Sequence, residues 1–189
     1  MKSIEKKILE EGSVLDNEIL KVDSFLNHQI DPKVINEFAK EVASHFSNEG
    51  INKILTIETS GIAIAYAVAE AFGGIPLVFA KKTKSKIVDD NVFKSDVKSF
   101  TRGTISPVSV SKKYLSKEDK VLLVDDFLAE GCSALGLVDI CAQAGAEVKG
   151  LAIVIEKIFQ GGRASLEDKG IKVFAGASIK AFVNNVPVF

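Results

Sequence analysis

The sequence predicts an α/β domain built on a central five-stranded, mostly parallel sheet with helices on both faces. Three observations carry that expectation. Five short apolar runs are spread along the chain: KILTI (53–57), IPLVFA (75–80), VLLV (121–124), LAIVIE (151–156) and IKVFA (171–175). Strands buried on both faces read as near-continuous apolar runs of this kind. Helical segments alternate with them, as strand–helix–strand crossovers require. The crossover also appears twice, each time with a small-residue turn between strand and helix: ETSG (58–61) and the stretch from Asp125 to Ser133.

The elements follow in order. MKSIEKKILEEG opens the chain as a charged amphipathic segment, and ILKVDSFLNHQI mixes strand-like and loop-like character. Asp31-Pro32 is a helix-start signal, with proline favoured in the first turn. Val34, Phe38, Val42 and Phe46 then recur at every fourth position, which buries one helical face. This helix ends by Asn48 to Gly50. KILTI, the turn ETSG, a small-residue helix IAIAYAVAEAF (62–72) closed by Gly73-Gly74, and IPLVFA form the first crossover. VLLV, a helix from about Ser133 to Gln143, the turn AGA and LAIVIE form the second. GRASLEDKG gives a short helix before the last strand.

Residues 81–120 break the pattern. About forty polar, Lys- and Ser-rich residues lie between two core strands, too many for an ordinary connection. SPVSVSKKY alternates like an exposed strand. The segment reads as a mobile flap or a pair of long hairpin arms, or as a disordered surface insertion.

The bulk numbers exclude several classes. A chain of 189 residues, 47% hydrophobic and 26% charged, is the size and composition of one globular domain. A net charge of −1 offers no basic field to nucleic acid, although a local basic patch could hold a phosphorylated small molecule. Cys132 and Cys141 form neither a paired framework nor CxxC spacing. The start lacks the long apolar stretch of a signal peptide. No run of about 18 apolar residues is present, so no membrane span is expected. A soluble cytoplasmic protein is the expectation.

VLLVDDFLAEGCSALG (121–136) is the most informative stretch. In open parallel sheets, ligands sit beyond the carboxyl ends of the strands. A small-residue turn feeding a helix aims several unpaired backbone N–H groups at one point, which favours a phosphate. Ser133 adds a hydroxyl or merely caps the helix. Asp125 and Asp126 either serve the turn and solvent, or bind polyol hydroxyls or a hydrated Mg²⁺. GxGxxG and GxxxxGK[ST] are both absent, which removes support for dinucleotide and nucleoside-triphosphate sites.

This stretch resembles the phosphoribosyl-pyrophosphate motif of the type I phosphoribosyltransferases. LKVDSFLNHQIDP (20–32), TIETSGIAIA (56–65), VFAKK (78–82) and IVIEKIFQGGR (153–163) are similar to the xanthine-using enzymes of bacterial purine salvage within that family. The resemblance covers most of the chain, in order. It implies the type I phosphoribosyltransferase fold in a single domain, 1–189. A small hood would form from 1–30 and 157–189, and a flexible arm from 83–115.

The resemblance also implies the site. Asp125 and Asp126 would face the ribose and Mg²⁺, and Ala129, Glu130, Gly131, Cys132 and Ser133 would wrap the 5-phosphate. Glu58, Thr59, Ser60, Gly61 and Lys81, with Lys82 beside it, would hold pyrophosphate; turn-capping by Thr59 or Ser60 and solvated lysines are the plain alternatives. Leu20, Asn27 and Lys157 would bind xanthine. Lys157 could donate to the purine 6-oxo group and Asn27 could read the 2-oxo edge. Phe159 could stack on the base or belong to the core. His28 and His45 read as structural.

Mg²⁺ would come with phosphoribosyl pyrophosphate, and no direct protein ligand is assigned to it. A homodimer is implied, with no nucleic acid and no membrane. Two departures stand out: Glu130 where a neutral polar residue is expected, and Gln160-Gly161-Gly162-Arg163 without a proline before the second glycine. Ala129 stands where hypoxanthine-guanine enzymes carry an aspartate, which favours a more acidic purine. An adenine enzyme and a non-catalytic phosphoribosyl-pyrophosphate-binding regulator are the alternatives. Lys157 disfavours the first, and a short, non-basic N-terminal stretch disfavours the second.

Overall fold

The computed structural model describes residues 2–82, 91–98 and 105–189. The chain begins with helix α1 (Ser3–Glu11) and the short hairpin β1 (Ser13–Leu15) and β2 (Ile19–Lys21). One π-helical turn over Asp23–Asn27 leads to helix α2 (Pro32–His45). Asp31 caps α2 by accepting from the Lys33 N–H at 3.0 Å, as the Asp-Pro signal indicates. Strand β3 (Lys53–Ile57), helix α3 (Gly61–Ala71) and strand β4 (Leu77–Lys82) form the first crossover. Strands β5 (Val92–Lys98) and β6 (Ile105–Ser111) follow. Strand β7 (Lys120–Leu128), helix α4 (Cys132–Ala144) and strand β8 (Glu147–Lys157) form the second crossover. A 3₁₀ turn over Ile158–Gln160, helix α5 (Gly162–Glu167), strand β9 (Val173–Ile179) and the hairpin β10 (Ala181–Val183) and β11 (Val186–Val188) complete the chain.

Among the described residues the main sheet has seven strands in the order β5-β6-β4-β3-β7-β8-β9. The five strands from β4 to β9 pair in parallel and coincide with the five apolar runs of the sequence. Strands β5 and β6 pair antiparallel and extend the sheet past β4. The arm segment therefore adds two strands to the five expected. Its β6 buries Val108 and Val110, so the alternation in SPVSVS marks a half-buried strand rather than an exposed one. Gln143 of α4 ties β5 down: its amide donates to the Lys94 carbonyl at 2.7 Å and accepts from the Lys94 N–H at 3.2 Å. The rest of the expected arm within 83–90 and 99–104 lies outside the described residues.

Side-chain alternation along each strand builds two cores. On β7, Leu122 and Val124 face a cluster with Phe38, Val42, Phe46, Ile64 and Val68 of α2 and α3. Val121 and Leu123 face the other way, against Leu137, Ile140 and Cys141 of α4 and Leu166 of α5. Burying four apolar side chains per strand on both faces contributes on the order of 2 kcal/mol each. Among the described residues, no helix is long and apolar enough to cross a membrane.

The sheet order has one reversal. From β3 the chain moves outward to β4, and from β7 it moves the other way to β8 and β9. The carboxyl ends of β3 and β7 thus flank a topological switch point, where the loops on either side part and leave a crevice.

Candidate active site

A cavity of about 620 Å³ opens at this switch point. The loop after β3 and the loop after β7 form its floor, and the segment from Glu18 to Asn27 and the end of β8 form its far wall.

Strand β7 continues past the two aspartates, which the sequence placed at its end, to Leu128. The register explains the difference. Asp125 pairs with Ile153 and Phe127 with Ile155, so the β8 ladder holds the backbone extended past the apolar run. Asp125 is 7% exposed, and its Oδ1 accepts from the Asp126 N–H at 3.0 Å. Asp126 Oδ1 accepts from the Phe127 N–H at 2.9 Å. Burial, and then the charge of Asp126, push the Asp125 carboxyl well above the ordinary aspartate value, while the Lys82 ammonium pulls it back.

Below Asp125 lie Gly61 and Thr56. A Cβ on Gly61 would overlap Thr56 Oγ1 and sit 3.0 Å from Asp125 Oδ1. Thr56 is fully buried and its hydroxyl has no hydrogen-bond partner among the described residues. The Glu58–Thr59 peptide is cis. Glu58 and Ser60 line the cavity, whereas Thr59 and Gly61 lie behind the lining.

Residues 129–133 wrap one end of the cavity. Gly131 has φ 84° and caps α4, so Cys132, Ser133 and Ala134 present first-turn N–H groups. Glu130 is exposed, and Cys132 Sγ lies 3.9 Å from its Oε2. The turn is braced from the other side of the site. The Gly162 N–H donates to the Ala129 carbonyl at 3.0 Å. A Cβ on Gly162 would overlap that carbonyl oxygen and lie 2.8 Å from the Gly131 nitrogen. Two glycines therefore meet backbone to backbone.

Arg163 anchors this contact. Its Nε and Nη2 donate to the two oxygens of Glu156 at 2.7 and 2.8 Å. The Glu156 carboxylate, 2% exposed, raises the Arg163 guanidinium above its ordinary value despite burial.

Lys157 ends β8 at the far wall. Its Nζ donates to the Glu18 carbonyl at 2.8 Å and lies 5.6 Å from the Phe182 ring centroid. Burial holds the ammonium below the ordinary lysine value, and the Glu18 charge opposes that. Leu20 and Asn27 line the same wall.

A family model described as the phosphoribosyl transferase domain matches residues 21–188. The chain belongs to that family. Over its whole length it is 50% identical to xanthine phosphoribosyltransferase of Clostridium novyi (strain NT), covering 99% of that protein. It is 52% identical to xanthine phosphoribosyltransferase 2 of Clostridium botulinum (strain Langeland / NCTC 10281 / Type F), with both chains fully covered. It is 50% identical to xanthine phosphoribosyltransferase of Laribacter hongkongensis (strain HLHK9), covering 98% of this chain and 97% of that one. Among solved structures, the fold matches adenine phosphoribosyltransferase (APRTase) from Giardia lamblia complexed with 9-deazaadenine, with a TM-score of 0.78 at 22% identity, covering 94% of this chain and 98% of that one. It also matches adenine phosphoribosyltransferase from Saccharomyces cerevisiae complexed with an imino-altritol bisphosphate and adenine, with a TM-score of 0.73 at 23% identity, covering 92% and 98%. The chain thus has the type I phosphoribosyltransferase fold.

In this family member the cavity gathers most of the residues singled out in the sequence: Leu20, Asn27, Glu58, Ser60, Asp125, Asp126, residues 129–133 and Lys157. Lys81 is the exception on β4. Lys82 lines the cavity and Lys81 does not, because neighbouring strand residues point to opposite faces. Phe159 neither lines the cavity nor joins the core; it is 50% exposed and meets Phe182 edge-on at 5.8 Å. His45 packs on Phe46 and Phe174, away from the cavity. Sequence reasoning missed Gly162, whose signal was the QGGR departure, and the arm residues Val97, Ser106 and Val108, which line the cavity without any local motif.

Proposed function

We propose that this chain is a xanthine phosphoribosyltransferase. It joins a xanthine nitrogen to the anomeric carbon of phosphoribosyl pyrophosphate, giving xanthosine 5′-monophosphate as pyrophosphate leaves. The full-length identity of 50–52% to proteins of that name carries the choice of purine. One cavity joining an acidic pair, a helix-capping turn and a half-buried lysine supports the chemistry.

In this reading the turn 129–133 and the start of α4 hold the 5-phosphate through backbone N–H groups. Asp125 and Asp126 accept the ribose hydroxyls and place negative charge beside an anomeric carbon of oxocarbenium character. The Glu58–Gly61 loop and Lys82 hold the pyrophosphate, with Lys82 in the role the sequence gave to Lys81 within one protomer. Lys157 has three N–H donors and uses one on Glu18, so others are available for the purine 6-oxo group. Asn27 reads the 2-oxo edge, and Leu20 walls the ring.

The donor set fits Mg²⁺. No group of three or more His, Cys, Asp or Glu suited to a metal occurs among the described residues, but adjacent carboxylates suffice for an ion that keeps its waters and binds substrate phosphates. Asp125 and Asp126 would hold it, and it would supply charge neutralisation at the leaving pyrophosphate. A homodimer belongs to the same reading: Tyr66 on α3 is 61% exposed and Phe79 on β4 is 38% exposed, faces that a second copy would cover. A cytoplasmic place fits two unpaired cysteines.

The test mixes protein, Mg²⁺ and phosphoribosyl pyrophosphate with each purine separately and follows absorbance. Turnover of xanthine well above guanine, hypoxanthine and adenine is expected. Lys157→Ala should raise KM for xanthine more than KM for phosphoribosyl pyrophosphate, by on the order of tenfold for a lost charged hydrogen bond. Equal use of guanine would overturn the purine assignment. Turnover of adenine alone would favour the adenine reading. Binding of phosphoribosyl pyrophosphate without turnover would favour a regulator.

A further inference from the structure

Resting on that reading, we propose that Asn17 and Asn185, both outside the cavity lining, are positioning residues for purine binding. Their clasp sets the place of the Glu18 carbonyl and, through it, of Lys157.

The clasp follows from turn chemistry. The β1–β2 hairpin turns at Asp16 (φ 53°) and Asn17 (φ 53°), and the β10–β11 hairpin at Asn184 (φ 50°) and Asn185 (φ 60°). The first loop has three residues between the paired Leu15 and Ile19, the second two between Val183 and Val186; tight turns with two successive positive-φ residues match the twist of the flanking strands, and Asn and Asp tolerate that conformation. The two tips, 168 residues apart in sequence, face each other. The Asn17 N–H donates to Asn185 Oδ1 at 2.8 Å, and the Asn185 N–H donates to Asn17 Oδ1 at 2.6 Å. Each tip thus offers one backbone donor and one side-chain acceptor to the other.

Both hairpins end on Lys157. Glu18, next to Asn17, offers the carbonyl that accepts Lys157 Nζ at 2.8 Å. Phe182, on the strand leading to Asn185, offers the ring over which that ammonium lies. Glu18, Ile19 and Leu20 then line the cavity. The apolar contact behind this wall is incomplete: a small cavity of about 110 Å³ lies between Val14, Leu20 and Val186. Three-residue strands in a two-stranded hairpin are marginal alone; Val14 and Leu20 anchor the first hairpin in the core, and the polar clasp ties its tip to the second.

Asn185→Gly tests this cleanly. Glycine takes positive φ without steric cost, so the turn survives and only the acceptor is lost. Asn17→Gly does the same from the other hairpin and serves as the second variant should the first fail to fold. Asn185→Asp keeps the acceptor. With phosphoribosyl pyrophosphate saturating, either glycine variant should raise KM for xanthine about three- to tenfold, as expected for loss of exposed hydrogen bonds. The double variant should add little, KM for phosphoribosyl pyrophosphate and kcat should stay near wild type, and Asn185→Asp should restore KM. An unchanged KM for xanthine in a folded glycine variant would overturn the proposal, as would an equal rise for both substrates. If the wild type uses another purine, the function reading fails and the same KM ratio is read with that purine. A wild type that turns over no purine would sink both.

Discussion

At the scale of single residues, the site is organised around an acid that the fold disfavours as an anion. Asp125 is buried beside Asp126 with one short-range backbone donor on its Oδ1, and a buried carboxylate without full compensation costs stability. Its carboxyl is raised in the folded state, so the stability it contributes is fully present below the ordinary value of 3.8 and is lost as pH rises through the folded value. At neutral pH, Asp125→Asn should therefore raise Tm, by on the order of 1 kcal/mol of stability, because an amide keeps the Oδ1 acceptor without the charge. In the proposed reading, where Asp125 lies beside a cationic centre, the same change should cut turnover by on the order of a hundredfold. Calorimetry and steady-state kinetics on one preparation check both signs. Lower stability together with unchanged turnover would remove Asp125 from the site.

Element by element, the turn after β7 and the segment after β8 act as one piece. Glu156 and Arg163 close the segment that follows Lys157, and Gly162 at its end presses on Gly131 and Ala129. Gly162→Ala would force the Ala129 carbonyl and the Gly131 N–H apart. The expected result is a rise of about tenfold or more in KM for phosphoribosyl pyrophosphate and a loss of about 1–3 kcal/mol in stability, the usual cost of overpacking. Binding of phosphoribosyl pyrophosphate by calorimetry and a thermal melt would check this; wild-type affinity would show that the contact does not shape the turn. The DDFLAEGCS stretch was legible as a strand-to-helix turn because strand, carboxylates and helix start are consecutive in sequence. Its brace was not, because Gly162 lies about thirty residues away and a glycine leaves no apolar or charged signal.

Over the whole molecule, ion pairs tie together segments far apart in the chain. Lys53 at the start of β3 meets Asp119 at 2.8 Å, just before β7. Burial pushes the Asp119 carboxyl up, but the Lys53 ammonium and the Ser116 N–H at 2.7 Å more than offset it, and the net value lies below the ordinary one. A depressed carboxyl contributes stability that is present above the ordinary value of 3.8 and lost as pH falls through the folded value. Asp119→Asn should therefore flatten the loss of urea midpoint as pH falls below about 5, with little change in activity at neutral pH. An unaltered acid slope would mean the pair contributes nothing. The sequence by itself determined the five apolar strands, the crossovers and the strand-to-helix turn after β7, because each is written in residues consecutive along the chain. Only the tertiary structure decided that Lys82 rather than Lys81 faces the cavity, that the arm adds β5 and β6 to the sheet, that Gly162 braces Gly131, and that Asn17 meets Asn185. Those contacts join residues far apart in the chain, and they exist only once the burial of both sheet faces has fixed strand order, register and the direction of every side chain.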